Sequence, residues 1–219
     1  MENFVEVAGK YLRYTGYALL PLLLLPFLVL ALPKPLHSPA KVITKLLDKI
    51  SGFAMVFAVS AAFLIILIQL AAVLLRYVFG LSFSWLNDSV VFAFAMIFML
   101  GAAATLRDDG HVRVDILRPR FGRKTTASIE MIGSLAFIVP IGILILYSAS
   151  GLIARTWMDL EPFNESDGLP VKYLFKTMVP IFAILMIGQA ISQATKAAMI
   201  IRNLVPTDEI APSKSEGAV

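Results

Sequence analysis

Five stretches of this chain, residues 14–33, 50–75, 89–106, 131–154 and 177–195, contain no Asp, Glu, Lys or Arg, and each is bordered by charge. At about 1.5 Å rise per helical residue, most of them reach across a hydrocarbon core of roughly 30 Å, and the shorter ones nearly do. Water is missing inside a bilayer, so backbone N–H and C=O groups must be satisfied within the segment. The runs show no period-two alternation of the kind a membrane strand carries, which leaves helices. The pattern predicts an all-α integral membrane protein with a four-helix transmembrane core, built from the last four runs, and one extra N-terminal hydrophobic helix.

The first run is interrupted by Pro21 and Pro26, each of which removes a helix hydrogen bond. It is compatible with a crossing helix, a kinked helix that only dips into the bilayer, or a cleaved leader ending near Val29-Leu30-Ala31. Between the first two runs, residues 38–50 read as a short amphipathic surface helix. Ser38 is placed to cap it and Pro39 suits its first turn. Val42, Ile43, Leu46, Leu47 and Ile50 recur at helical spacing, and Lys41, Lys45 and Lys49 stack on another side, facing lipid phosphates. A plain lead-in to the next span is the competing reading. The expected organisation is an N-terminal extension over 1–37, a four-helix membrane domain over 38–202, and a disordered tail over 203–219.

Loop charge sets an orientation. The loop over 107–124 carries Arg107, Arg113, Arg118, Arg120, Arg123 and Lys124, whereas the loop over 155–172 has basic residues only at its two ends and carries Asp159, Glu161, Glu165 and Asp167. The positive-inside rule puts the first loop and the C-terminus in the cytoplasm, and the second loop outside. A cleaved leader would place Lys34, Lys41, Lys45 and Lys49 outside, against that rule.

Composition agrees: 58% of the 219 residues are hydrophobic and 16% charged, against roughly 25% charged in a soluble domain. The net charge of +4 sits in loops and reflects membrane topology, with no basic face interleaved with aromatics for nucleic acid. There is no cysteine, hence no thiolate metal or iron–sulfur ligand. The two histidines, His37 and His111, are placed in loops, where they cannot ligate haem inside a bundle. No set of residues suits zinc or nucleophilic catalysis. Neither an enzyme nor a cofactor is expected.

Charges are also missing from the middle of the spans: Arg76, Asp88, Arg107, Glu130 and Arg155 all fall at span ends, where charge is cheap. Gln69 and Gln189 are read as hydrogen-bond formers between helices rather than a substrate site. The small residues Gly101-Ala102-Ala103-Ala104-Thr105 allow close helix approach, Trp85 reads as an interfacial anchor, and Pro140 with Gly142 can loosen the fourth run.

Three segments carry a family resemblance. They are Arg76-Tyr77-Val78-Phe79-Gly80, the run from Leu100-Gly101-Ala102-Ala103 through His111-Val112-Arg113-Val114-Asp115, and Gly168-Leu169-Pro170 followed by Lys176, Pro180 and Gln189. Together they resemble the small, Q-type membrane subunit of tripartite ATP-independent periplasmic (TRAP) transporters, over roughly residues 45–195. The Gly-Ala-Ala to His-Val-Arg-Val-Asp run is the most specific part. The segment before residue 40 departs from the four-helix pattern, and Asn87-Asp88 stands where the resemblance would put a glutamate. The resemblance implies a bacterial inner-membrane subunit that scaffolds a large sodium-coupled permease subunit. A periplasmic substrate-binding protein would deliver the substrate, an organic anion such as a carboxylate. It also implies contact roles: His111, Arg113 and Asp115 in the cytoplasmic loop, Arg76, Trp85 and Asp88 at the outer surface, and Gly101, Lys176 and Gln189 along the helices. Two rival readings remain, a self-sufficient homo-oligomeric channel or carrier and a membrane anchor for a soluble complex.

Overall fold

The computed structural model describes residues 21–108, 110, 122–160 and 167–204, and all regular structure among them is helical. In chain order the elements are α1 (Pro21–Ala31), α2 (Pro33–Phe79), α3 (Ser84–Arg107), α4 (Arg123–Gly133), a π-helical turn (Ser134–Ile138), α5 (Val139–Asp159) and α6 (Lys172–Ile201). Four rods, with α4, the π turn and α5 counted as one, are long and apolar enough to cross a membrane. One end of the bundle carries Asp48, Arg107, Arg123 and Lys196 and is called here the basic end. The other carries Arg76, Asp88, Asp159 and Asp167 and is called the acidic end.

The amphipathic segment is helical, and of its two readings the lead-in to the next span holds, not the separate helix. It forms the first third of α2, a rod of 47 residues, roughly 70 Å long at the usual rise. The helix starts at Pro33, so Ser38 does not cap it, Pro39 lies inside it, and His37 sits in a helix rather than a loop. Nothing breaks the rod at Ser51-Gly52, because both residues are held: Ser51 by a hydrogen bond to α6, and Gly52 by leaving room for Arg107, whose Nη1 would stand 2.8 Å from a Cβ there.

The face that α2 buries is the small one. Ala40, Thr44, Ser51, Ala54, Ala58 and Ala61 are buried, and Leu47, Ile65, Ile68, Ala72 and Leu75 continue the line half-buried. Successive positions alternate by four and three, the heptad spacing that keeps one seam against its neighbours in a left-handed crossing. Val42, Leu46 and Ile50, part of the apolar face read from the sequence for a membrane-surface helix, are exposed together with Phe53, Phe63 and Ile66. Lipid is as apolar as leucine, so packing is decided by how closely backbones can approach, and small residues win the interface.

Along that seam Ala40 meets Ala198 and Met199, while Ala54 and Ala58 pack with Leu100 of α3 and with Met178 and Leu185 of α6. Helix α6 is the hub: from Ile187 to Ile200 almost every residue is buried, as expected of a helix surrounded on all sides. Helix α1 lies on the same half of α6, with Val29 against Ala198, Leu22 and Leu23 against the Ile187 cluster, and Arg202 Nη2 donating to the Leu30 carbonyl. The described residues of α1, Pro21–Ala31, span roughly 16 Å, about half the thickness of a hydrocarbon core. Residues 14–20, which decide whether the first run crosses, lie outside the described residues.

Pro140 leaves a visible mark. It has no N–H, and its ring presses on the carbonyl four residues back; the turn just before it is widened, with Val139 N–H bonding to Ser134 O. Two residues after Pro140, α5 comes so close to α6 that a Cβ on Gly142 would stand 2.5 Å from Ile187 Cγ1. At the acidic end α2 stops at Gly80, whose φ of 69° is a left-handed conformation that glycine adopts without cost. The link from α2 to α3 is therefore only residues 80–83, shorter than the stretch 76–88 that separates the two charge-free runs.

Candidate functional site

The buried polar groups gather in clusters at the two ends of the bundle. At the basic end the centre is Asp48, beside the α2 seam. Its Oδ2 accepts from Lys196 Nζ at 2.6 Å, and its Oδ1 accepts from Gln189 Nε2 at 3.1 Å and Ser192 Oγ at 2.9 Å. Ser51 Oγ donates to Gln189 Oε1 at 2.7 Å, fully inside the bundle. Arg107, at the end of α3, donates Nη1 to the Asp48 carbonyl at 3.0 Å and pairs with Asp108 at 2.7 Å. That bond holds the Asp108 carboxyl below the ordinary aspartate range. Gln193 Nε2 donates to the Leu106 carbonyl. The carboxylate of Asp48, with both oxygens engaged and its charge balanced by Lys196, thus ties α2 to α6, and its backbone carbonyl ties in α3 through Arg107, which makes the cluster a cross-brace.

At the acidic end the bonds are reciprocal. The first turn of α3 has no side-chain cap of its own. Asp167 supplies one from the distant loop, accepting the Ser84 N–H at 2.9 Å and placing a negative charge at a helix N-terminus. The Ser84 N–H bond is the main reason the Asp167 carboxyl is held below its ordinary range. In return Asp88 Oδ2 accepts the Leu169 N–H at 3.0 Å. Beside this clasp, α5 and α6 are joined by Trp157 Nε1 donating to Thr177 Oγ1 at 2.9 Å, an edge contact between Trp157 and Tyr173, and Lys176 Nζ donating to Thr156 Oγ1 at 3.2 Å.

Among known families, the one described as "Tripartite ATP-independent periplasmic transporters, DctQ component" matches residues 65–198, well over half of the chain. The chain belongs to this family. No curated protein and no solved structure matches it. The DctQ match begins within α2 and ends within α6, so the basic-end brace straddles its border: Asp48 and Ser51 precede the matched stretch, and Gln189, Ser192 and Lys196 lie inside it.

Set against this DctQ component, the residues singled out from sequence fall into three groups. Arg76 and Trp85 are exposed at the acidic end, Trp85 tilted against Phe83. Asp88 engages the loop before α6, and Gly101, Lys176 and Gln189 engage this chain's own helices: Gly101 lies against Ala58 of α2, 3.6 Å from where its Cβ would be, and Gln189 is 1% exposed. His111, Arg113 and Asp115 lie outside the described residues. Gln189 bonds between helices, whereas Gln69 is exposed on α2 and makes no hydrogen bond with any described residue. Sequence reasoning missed Asp48, Ser51, Lys196 and Asp167. For the first three a signal was present: Gln189, Ser192 and Lys196 recur at intervals of three and four along an apolar helix, a polar stripe that must find a partner.

Proposed function

We propose that this chain is the small membrane subunit of a TRAP-type secondary transporter, scaffolding a large sodium-coupled permease subunit that imports an organic anion, a carboxylate, delivered by a periplasmic binding protein. Membership of the DctQ family supports the transporter assignment. The observation that carries the scaffold role is the use made of the buried polar groups: Asp48, Lys196, Gln189 and Ser192 bond to one another and lock α2 to α6. A solute path needs polar groups that exchange partners as an ion or anion passes. Here they rigidify a platform, a non-enzymatic role. The proposed setting is the bacterial inner membrane with the basic end and the C-terminus in the cytoplasm, and with residues 38–202 as the membrane domain.

The test is reconstitution. Vesicles holding this chain with the large subunit, supplied with binding protein and a sodium gradient, should accumulate a carboxylate; vesicles holding this chain alone should not. Accumulation by the single chain would overturn the scaffold role in favour of a self-sufficient carrier. A cytoplasm-only fluorescent reporter fused after Val219 should glow, and a dark fusion would reverse the orientation.

A further inference from the structure

One polar side chain on the outer surface of α2 makes no hydrogen bond among the described residues. Gln69 is exposed and lies seven residues before Arg76, about 10 Å deeper along the helix, further than a two-methylene stem carries an amide. Its carboxamide makes no hydrogen bond with any described residue. Ser60, also exposed on α2, folds back onto Val56 O at 2.8 Å. A carboxamide, with two N–H donors and a carbonyl, cannot satisfy itself on its own helix in that way, and lipid offers it no partner.

Arg76 lies two turns on from Gln69 and on the same side of the helix. It too is exposed, and its guanidinium reaches Ser82 Oγ only at 3.4 Å. Ile66 and Val73, both exposed, complete a stripe at intervals of three and four, outside the buried heptad seam. The stripe offers an apolar strip, one amide at depth and one cation at the rim.

Charge decides between occupants. Two copies of this chain share one orientation in a membrane, so a two-fold axis along the membrane normal would set each stripe against itself and Arg76 against Arg76. A lipid can meet Arg76 with its phosphate but brings no hydrogen-bonding group to the depth of Gln69. We infer that the stripe Ile66, Gln69, Val73 and Arg76 is the docking face for a transmembrane helix of the large subunit. That helix presents a carboxamide or hydroxyl opposite Gln69 and a carboxylate near Arg76. The inference rests on the transporter-subunit reading above.

The experiment places a photo-crosslinking residue at position 69 or 73, and for comparison at the exposed positions 137 and 147 of the other long rod, in cells that also make the large subunit. Positions 69 and 73 should give an adduct with the combined mass of both subunits, and positions 137 and 147 should not. Gln69→Leu should lower recovery of the large subunit with this chain by about three- to ten-fold, the effect of one interhelical hydrogen bond. It should leave the unfolding midpoint of the isolated chain unchanged. An adduct of twice this chain's mass, no protein adduct at 69 and 73, or equal yield at all four positions overturns the docking face. If the unsubstituted chain still copurifies with the large subunit in that case, the transporter-subunit reading survives; if it does not, both fall.

Discussion

Asp48→Leu removes the centre of the basic-end brace while keeping the side chain's bulk. Two donors lose their acceptor: Gln189 Nε2 and Ser192 Oγ, on residues that are 1% and 0% exposed. Interhelical hydrogen bonds in bilayers average roughly 0.6 kcal/mol each, because the unfolded chain in lipid also finds partners. Lys196 loses its counter-charge, but its side chain is 38% exposed, so the pair is screened and contributes at most about 1 kcal/mol. The expected loss is about 2 kcal/mol, or roughly thirty-fold in the unfolding equilibrium. Denaturation by sodium dodecyl sulfate in mixed micelles, followed by circular dichroism, measures it. Lys196→Met and the double variant complete a cycle whose coupling energy should fall between about 0.5 and 1 kcal/mol. If Asp48→Leu unfolds with the unsubstituted chain, or if the two substitutions are additive, Asp48 does not hold α2 to α6 and the brace is an accident of proximity.

Two further outcomes follow from the same geometry. Gly142→Ala forces a methyl against Ile187, which is 1% exposed and cannot swing away, so the same assay should show a loss of about 1–3 kcal/mol; adding Ile187→Ala should cost less than it does alone, and strict additivity would refute the close approach. At the acidic end the Asp167 carboxyl has a depressed pKa, so its bond to Ser84 N–H is intact at neutral pH and is lost as pH falls through that depressed value. With Trp157→Phe as background, Trp85 emission should change below the ordinary aspartate range, and Asp167→Asn should give the acid-form emission already at neutral pH. An Asp167→Asn spectrum identical to that of its parent at pH 7 would refute the clasp.

The four spans were legible because charge is the one thing a hydrocarbon core excludes, and the edges of the charge-free runs mark where helices may meet water. The same criterion misjudged their ends. Helices do not stop where charge begins, so α2 runs back through Lys41, Lys45 and Lys49 to Pro33, and α4 starts at Arg123. In a soluble helix the large apolar side is the buried side. That rule fails once the surrounding medium is itself apolar.

What replaces it is visible in α2. The informative pattern is not where Val42, Leu46, Phe53 and Phe63 fall but where Ala40, Thr44, Ser51, Ala54, Ala58 and Ala61 fall, because only those positions let α3 and α6 approach. Once the seam is fixed by the small residues, polar groups sort themselves by its line. Asp48 and Ser51 lie on or beside it and meet the Gln189, Ser192 and Lys196 stripe of α6; Gln69 lies off it and makes no hydrogen bond with any described residue. Two glutamines that look equivalent in sequence therefore differ in kind, one closing the bundle and the other open on its surface. Their difference follows from a four–three register of small side chains that hydropathy averages away.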